Sequence, residues 1–167
     1  MQKDHYSTSF SSKQFPIILV CDNITKAPNI GSLFRTADAF GVEKLIFCGQ
    51  YIPIGRRMTK TSRSTEKFVN YETHDDIVPL VTKLKSEGYK IVSLEITTDS
   101  KPIHAYNFHQ APLALIIGDE NHGISADVLI QSDDILHIDM FGYNSSMNVV
   151  QAATIALYEI TKQLNNE

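Results

Sequence analysis

Two rhythms of apolar residues alternate along the chain. Short, nearly unbroken apolar runs occur at FPIILVC (15–21), EKLIFCG (43–49), YKIVSLEI (89–96), PLALIIG (112–118) and DILHIDM (134–140). Runs of this length without a polar alternate predict strands buried on both faces, the habit of a parallel sheet. Between them the spacing changes to three and four. In PNIGSLFRTADAFG (28–41), Ile30, Leu33, Phe34, Ala37 and Phe40 form one stripe, entered at Pro28–Asn29 and left at Gly41. DDIVPLVTKLKSEG predicts an amphipathic helix ending at Gly88, with Pro79 either in its first turn or marking a kink. ISADVLIQS predicts a short helix, and a long one runs from about 148 to 163. Strands alternating with helices predict an α/β fold, a mostly parallel sheet with helices on both faces. No repeat, low-complexity tract or linker interrupts it. Residues 1–14 read as a polar N-terminal arm and 15–167 as one domain.

Composition narrows the class. With 43% hydrophobic and 20% charged residues in 167, the chain has an ordinary soluble globular make-up. No apolar run approaches the ~20 residues of a membrane span, so no membrane partner is expected. MQKDHYSTSFSSKQF lacks the apolar stretch of a secretory signal. Cys21 and Cys48 both fall in strand-like runs, which predicts buried reduced thiols and a cytoplasmic protein. No Cys/His cluster has metal-ligand spacing, so no metal site is expected. A net charge of −4 argues against a binder that relies on bulk charge to hold nucleic acid. A local exception is GRRMTKTSRSTEKF, where Arg56, Arg57, Lys60, Arg63 and Lys67 face one acid, Glu66. This stretch reads equally as a solvated loop or as a patch for an anionic partner.

In open α/β sheets ligands sit beyond the carboxyl ends of the strands. Two of the segments there carry candidate chemistry. GDENHGIS (118–125) has the glycine spacing of a phosphate loop at Gly118 and Gly123, but Ile124 stands where the lysine belongs. With Asp119 and Glu120 inside it, the loop suits a neutral or cationic ligand, or is a glycine-rich turn with solvated acids. In DMFGYNSSMNVVQAAT (139–154), Asn144, Ser145, Ser146 and Asn148 precede an apolar helix. Ser146 or Asn148 would cap it, and the remaining small polar groups suggest a loop lying against a ligand. His104 and His109 read as surface or packing residues. His122 could be a base but has no evident partner, and Tyr143 could stack on a base or pack, with packing the favoured reading. Arg35 lies off its helix's apolar stripe and could handle a phosphate or a hydroxyl.

Taken together and in order, NIGSLFRTADAFG, GDENHG and SMNVVQAA resemble the three motifs of the SpoU (TrmH-like) branch of the SPOUT RNA methyltransferases. The resemblance runs from about Phe15 to Leu164. It implies a C-terminal trefoil knot, S-adenosyl-L-methionine held bent within it, and a homodimer whose interface lies beside the active site. The reaction it implies is methyl transfer to a ribose 2′-hydroxyl of structured RNA, transfer RNA being slightly favoured over ribosomal RNA. By motif position, Asn29, Arg35, Glu120, Ser146 and Asn148 match the family's functional polar residues. Gly118, Ile138, Met147 and Leu94 match its cofactor positions. Met147 stands where leucine is frequent and Val150 where a small polar residue is frequent.

An arginine is protonated at working pH, so Arg35 is expected to grip the phosphate beside the target ribose and favour alkoxide character on its oxygen. Asn29 would position Arg35 or the ribose, and Glu120 would organise the site rather than act as base. With no added RNA-binding module visible, Arg35, Arg56, Arg57, Lys60, Arg63 and Lys67 are expected to hold the RNA. The rival readings are a non-catalytic knotted module, a base-directed methyltransferase and a flavodoxin-like mononucleotide binder.

Overall fold

The computed structural model describes residues 11–108 and 112–165. The first ten residues of the expected arm, and His109, lie outside the described residues. Seven strands form one wholly parallel sheet in the order β3-β2-β1-β6-β4-β7-β5. They are β1 (Phe15–Asp22), β2 (Val42–Cys48), β3 (Tyr71–His74), β4 (Lys90–Leu94), β5 (Lys101–Pro102), β6 (Leu113–Gly118) and β7 (Asp134–His137). The helices are α1 (Ala27–Ala39), α2 (Arg56–Ser62), α3 (Ile77–Ser86), α4 (Ala126–Gln131) and α5 (Val149–Asn165).

The unbroken apolar runs have the meaning expected of them. Along β1, Ile17, Leu19 and Cys21 enter one core while Ile18 and Val20 enter another, because successive side chains point to opposite faces. The first core packs under α1 and α5, and the second under α3 and α4. α1 buries Ile30, Leu33, Phe34 and Ala37 completely, the stripe read from the sequence. Pro79 lies in the first turn of α3, where a missing N–H costs nothing. That helix is capped by Asp76, whose carboxylate accepts from Val78 N at 3.0 Å. Burial pushes the Cys21 thiol well up, and Cys48 up to about 12, so both are inert packing residues, and both are free. No helix among the described residues is long and apolar enough to cross a membrane.

Four elements depart from the sequence reading. The basic stretch contains a helix, α2, rather than a loop. Its two buried residues, Met58 and Ser62, make too little of a stripe to reveal a period. β3 and β5 are the two edge strands, and neither carries the apolar run that marks a strand buried on both faces. The strand expected over 134–140 ends at His137, and the chain from Ile138 onward lies across the ends of the strands instead.

α2 is held against the first half of α1 through a glycine. A Cβ at Gly31 would lie 2.0 Å from Thr61 Oγ1 and 2.4 Å from the Met58 carbonyl oxygen. Two effects therefore compete in Gly31→Ala: alanine gains about 1 kcal/mol of helix propensity, and overpacking costs about 1–3 kcal/mol. The second should win, because a backbone carbonyl cannot rotate away. Thermal melts are expected to show a lowered Tm, whereas a raised Tm would mean that α2 yields freely.

Candidate active site

Because every strand is parallel, Asp22, Leu94, Gly118 and His137 all end at one edge of the sheet. From Gly118 the chain doubles back at once, Gly123 N donating to the Asp119 carbonyl at 2.8 Å. The approach leaves no room for side chains. A Cβ at Gly118 would lie 2.3 Å from the carbonyl carbon of Gly123, and one at Gly123 would lie 2.4 Å from Glu95 Oε2. Gly123 also has φ +66, the left-handed region that glycine tolerates without cost. The glycine spacing that suggested a phosphate loop is thus a close backbone crossing. Glu95 closes it from below, accepting from Ile124 N at 3.0 Å and from Ile96 N at 2.9 Å.

Inside the turn, Asp119 Oδ1 accepts from Asn121 N at 2.9 Å and lies 3.0 Å from His122 Nδ1. His122 therefore does have an acidic partner, within its own loop. Burial pushes the Asp119 carboxyl up, but the Asn121 and His122 N–H groups outweigh that and leave it below the usual range. Behind the turn the buried Asp22 accepts from Asn23 Nδ2 at 2.9 Å and Ser125 N at 3.3 Å. Its carboxyl is pushed up by burial, which those donors only partly offset.

Glu120 points the other way and gathers three distant segments. Oε1 accepts from Asn148 Nδ2 at 2.6 Å and from Asn29 Nδ2 at 3.2 Å, while Oε2 pairs with Lys26 at the mouth of α1. Asn148 Nδ2 also reaches Asn29 Oδ1 at 3.2 Å. The Lys26 ammonium, and then the Asn29 amide, hold the Glu120 carboxyl below the ordinary glutamate range against a smaller opposing effect of burial. Asn148 caps α5, its side-chain oxygen accepting from Val150 N at 2.9 Å. The cap is Asn148, not Ser146. One carboxylate thus ties the N-terminus of α1, the glycine turn and the N-terminus of α5.

Beside this cluster lies a cleft of ≈ 470 Å³, a size suited to a small-molecule ligand. Leu94, Gly118, Ile138, Met147, Glu120 and Ser146 all line it, so the predicted cofactor positions converge on one cavity. Glu95 and Asp119 add further acids to the wall, and among the described residues neither lysine nor arginine contributes to it. Asn29 and Asn148 sit behind Glu120 rather than in the lining. Arg35 is exposed on α1, and Asn29 gives its amide to Glu120, not to Arg35.

Sequence reasoning missed Lys26 and Glu95, whose surroundings carry no motif. It also missed Thr97, a cleft residue whose buried hydroxyl has no partner among the described residues. Such an orphaned group is costly unless something else satisfies it. Tyr143 is fully exposed, contrary to its reading as a packing residue, and Phe141 is 97% exposed. His104 is a surface residue paired with Asp139 at 3.2 Å. Arg56, Arg57, Lys60, Arg63 and Lys67 are all exposed on α2 and the turn after it.

Residues 16–158 match the family described as SpoU rRNA Methylase. Over 158 residues the chain is 27% identical to the tRNA (guanosine(18)-2'-O)-methyltransferase of Escherichia coli K12, covering 93% of this chain and 67% of that protein. It superposes on the A. aeolicus TrmH/SpoU tRNA modifying enzyme with TM-score 0.85 at 26% identity, over 93% of this chain and 78% of that one. It is also similar to the SpoU methyltransferase AviRb of Streptomyces viridochromogenes solved in complex with AdoMet, with TM-score 0.77 at 28% identity, over 92% of this chain and 62% of that one.

The Glu120 cluster can be tested through its charge. Asparagine and aspartate cap equally well, so Asn148→Asp keeps the cap of α5 but sets a second carboxylate against Glu120. In the wild type the low Glu120 pKa stabilises the fold above the ordinary glutamate pKa, and that stability disappears as the pH falls through the lower folded value. In the variant the paired carboxylates raise each other's pKa, so acid relieves the repulsion instead. The Tm gap between the two proteins is expected to shrink from pH 7 to pH 5. A gap independent of pH would show that Asn148 and Glu120 do not share a site.

Proposed function

The chain belongs to the SpoU rRNA Methylase family, and from that premise we propose that it transfers a methyl group from S-adenosyl-L-methionine to a ribose 2′-hydroxyl of structured RNA, with transfer RNA the favoured acceptor. The observation that carries this reading is a cleft lined by acids and, among the described residues, free of lysine and arginine, next to a carboxylate that fixes three separate segments.

S-adenosyl-L-methionine, when bound, supplies a methyl group on a positively charged sulfur, already activated for transfer. The lining fits such a molecule better than a nucleoside polyphosphate: Glu95 and Asp119 would repel phosphates and attract a cation, the charge of Glu120 being met by Lys26. Leu94 and Ile138 offer apolar walls, Gly118 and Met147 offer backbone polar groups for an adenine edge, and the unpaired Thr97 hydroxyl offers one further hydrogen bond.

The chain's own task is to align the ribose oxygen and help it lose its proton. Glu120 is a weak base for this purpose, because Lys26, Asn29 and Asn148 already occupy its oxygens. Its role in this reading is to hold Asn29 at the mouth of α1 and to fix the start of α5 through Asn148. Ser146 would shape the wall of the cleft facing the acceptor. Arg35, which stays protonated, would grip the phosphate next to the target ribose and stabilise negative charge developing on the 2′-oxygen. The exposed cations Arg56, Arg57, Lys60, Arg63 and Lys67 would carry the RNA backbone past the site.

The same reading includes a single domain over 15–167 and a C-terminal segment threaded as a trefoil knot. The single sheet with two cores supports the first, and the insertion of β7 between β4 and β5 is compatible with the second. It also includes a cytoplasmic homodimer. Ile155 and Tyr158, which α5 leaves 42% and 61% exposed, support a second copy packing on that helix.

The test is to incubate the protein with methyl-labelled S-adenosyl-L-methionine and total tRNA, then hydrolyse the RNA in alkali. Label is expected in alkali-resistant dinucleotides, the mark of a 2′-O-methyl group, and label on a base would overturn the assignment. Arg35→Ala is expected to lower kcat/KM by about 100-fold or more, the scale of losing an oxyanion stabiliser, with cofactor affinity within about threefold. An Arg35→Ala protein as active as the wild type would remove Arg35 from the mechanism.

A further inference from the structure

The loop between β7 and α5 carries two aromatic rings that pack against nothing. Phe141 is 97% exposed and Tyr143 fully exposed, although neighbours in the same loop, Met140, Ser145, Ser146 and Met147, line the cleft. Each ring is therefore within two residues of the lining, a span of about 7 Å at most. An exposed aromatic pair this close to a reacting centre is an unfavourable arrangement unless something covers it.

Resting on the methyl-transfer reading above, we propose that Phe141 and Tyr143 are a stacking platform for an unpaired base of the RNA acceptor, so that the substrate is a loop or other single-stranded element rather than a helix. Three observations select a nucleic-acid base as the occupant. From Met140 to Asn148 the chain has no charged residue, so no acid of this segment repels an incoming phosphate strand. The exposed cations of α2 and the turn after it are joined to the cleft wall through α1: Gly31 in the first half of α1 holds α2 in contact, and the mouth of α1 reaches Glu120. Finally, Gly142 separates the rings, and a Cβ there would meet nothing within 4 Å, so the tip has room to close on a flat object. An aromatic face accepts any base but needs it out of the duplex, because bases inside an A-form helix present no free face. A ribose can be brought to the cleft most simply when its own base or the neighbouring one is already splayed out.

The chain contains no tryptophan, so Tyr143→Trp installs a single fluorescent reporter at a position that contacts nothing. It is to be titrated with an RNA hairpin carrying an unpaired loop, and with a fully paired duplex of the same length. The hairpin is expected to quench the emission saturably and the duplex to do so only weakly. Phe141→Ala combined with Tyr143→Ala is expected to raise KM for tRNA by about 5- to 100-fold, leaving Tm and S-adenosyl-L-methionine affinity unchanged, while Tyr143→Phe retains wild-type KM. The proposal is overturned if the hairpin binds, as read by anisotropy of a dye on its 5′ end, without changing tryptophan emission. It is equally overturned if the double variant keeps wild-type KM, or if emission changes with protein concentration alone, which would mean that the rings cover a second copy. Quenching by the hairpin in a protein that transfers no methyl group would support the platform while removing the enzymatic reading. The reverse pattern, methylation with wild-type KM in the double variant, would remove only the platform.

Discussion

Gly118 lies so close to the Gly123 backbone that it has no room for a side chain, Gly123 itself has a left-handed φ of +66, and the rest of the site depends on that crossing. It lets the chain leave β6 and reverse immediately, which opens a cleft at the edge of the sheet and places Glu120 in its wall with its carboxylate bonded to α1 and α5. Glu95 maintains the crossing by accepting from Ile124 N just past the turn, its other carboxylate oxygen being held by Ile96 N. A glycine-rich turn after a strand is most familiar as a cradle for phosphates. Here the same steric device is lined by acids, and Lys26, the lysine beside it, is paired with Glu120 outside the lining, so the cleft is set up for a ligand of the opposite charge.

Two carboxylates divide the work. Glu95 shapes the turn, and Glu120 uses the turn as an anchor from which to hold Lys26, Asn29 and Asn148. The cost of placing several acids together is offset locally. Asp119 is engaged by its own loop, Glu120 by a lysine and two amides, and the buried Asp22 by the start of the segment leading into α4. What faces the cleft is therefore a directed negative potential and not a set of free bases. Catalysis in this account comes from alignment and from a guanidinium outside the cleft, as suits a reaction whose donor is already activated.

Much of this is legible in the amino-acid sequence. Ile17 to Cys21 and Leu113 to Ile117 announce buried parallel strands because both faces of the sheet are covered, and the stripe from Ile30 to Phe40 announces its helix. The positions Gly118, Ile138, Met147 and Leu94, which a motif resemblance supplies, do meet in one cavity. What escapes is whatever lacks a period or a partner nearby in sequence. α2 exposes Arg56, Arg57 and Lys60 and anchors itself with Met58, so hydropathy describes it as a loop. β3 and β5 are edge strands without the buried apolar run that would mark them. Lys26 and Glu95 act across 94 and 29 residues of chain, distances over which a single sequence carries no pairing signal. Tyr143 looks like any core aromatic until its surroundings are known.

The most direct measurement is calorimetric titration of S-adenosyl-L-methionine into three proteins: the wild type, Gly118→Ala and Gly55→Ala. Gly55 is the control, since a Cβ there meets nothing within 4 Å. If the glycine crossing builds the binding cleft, the wild type and Gly55→Ala should bind alike and Gly118→Ala should show no binding heat. Equal affinity in all three would contradict the account at its foundation.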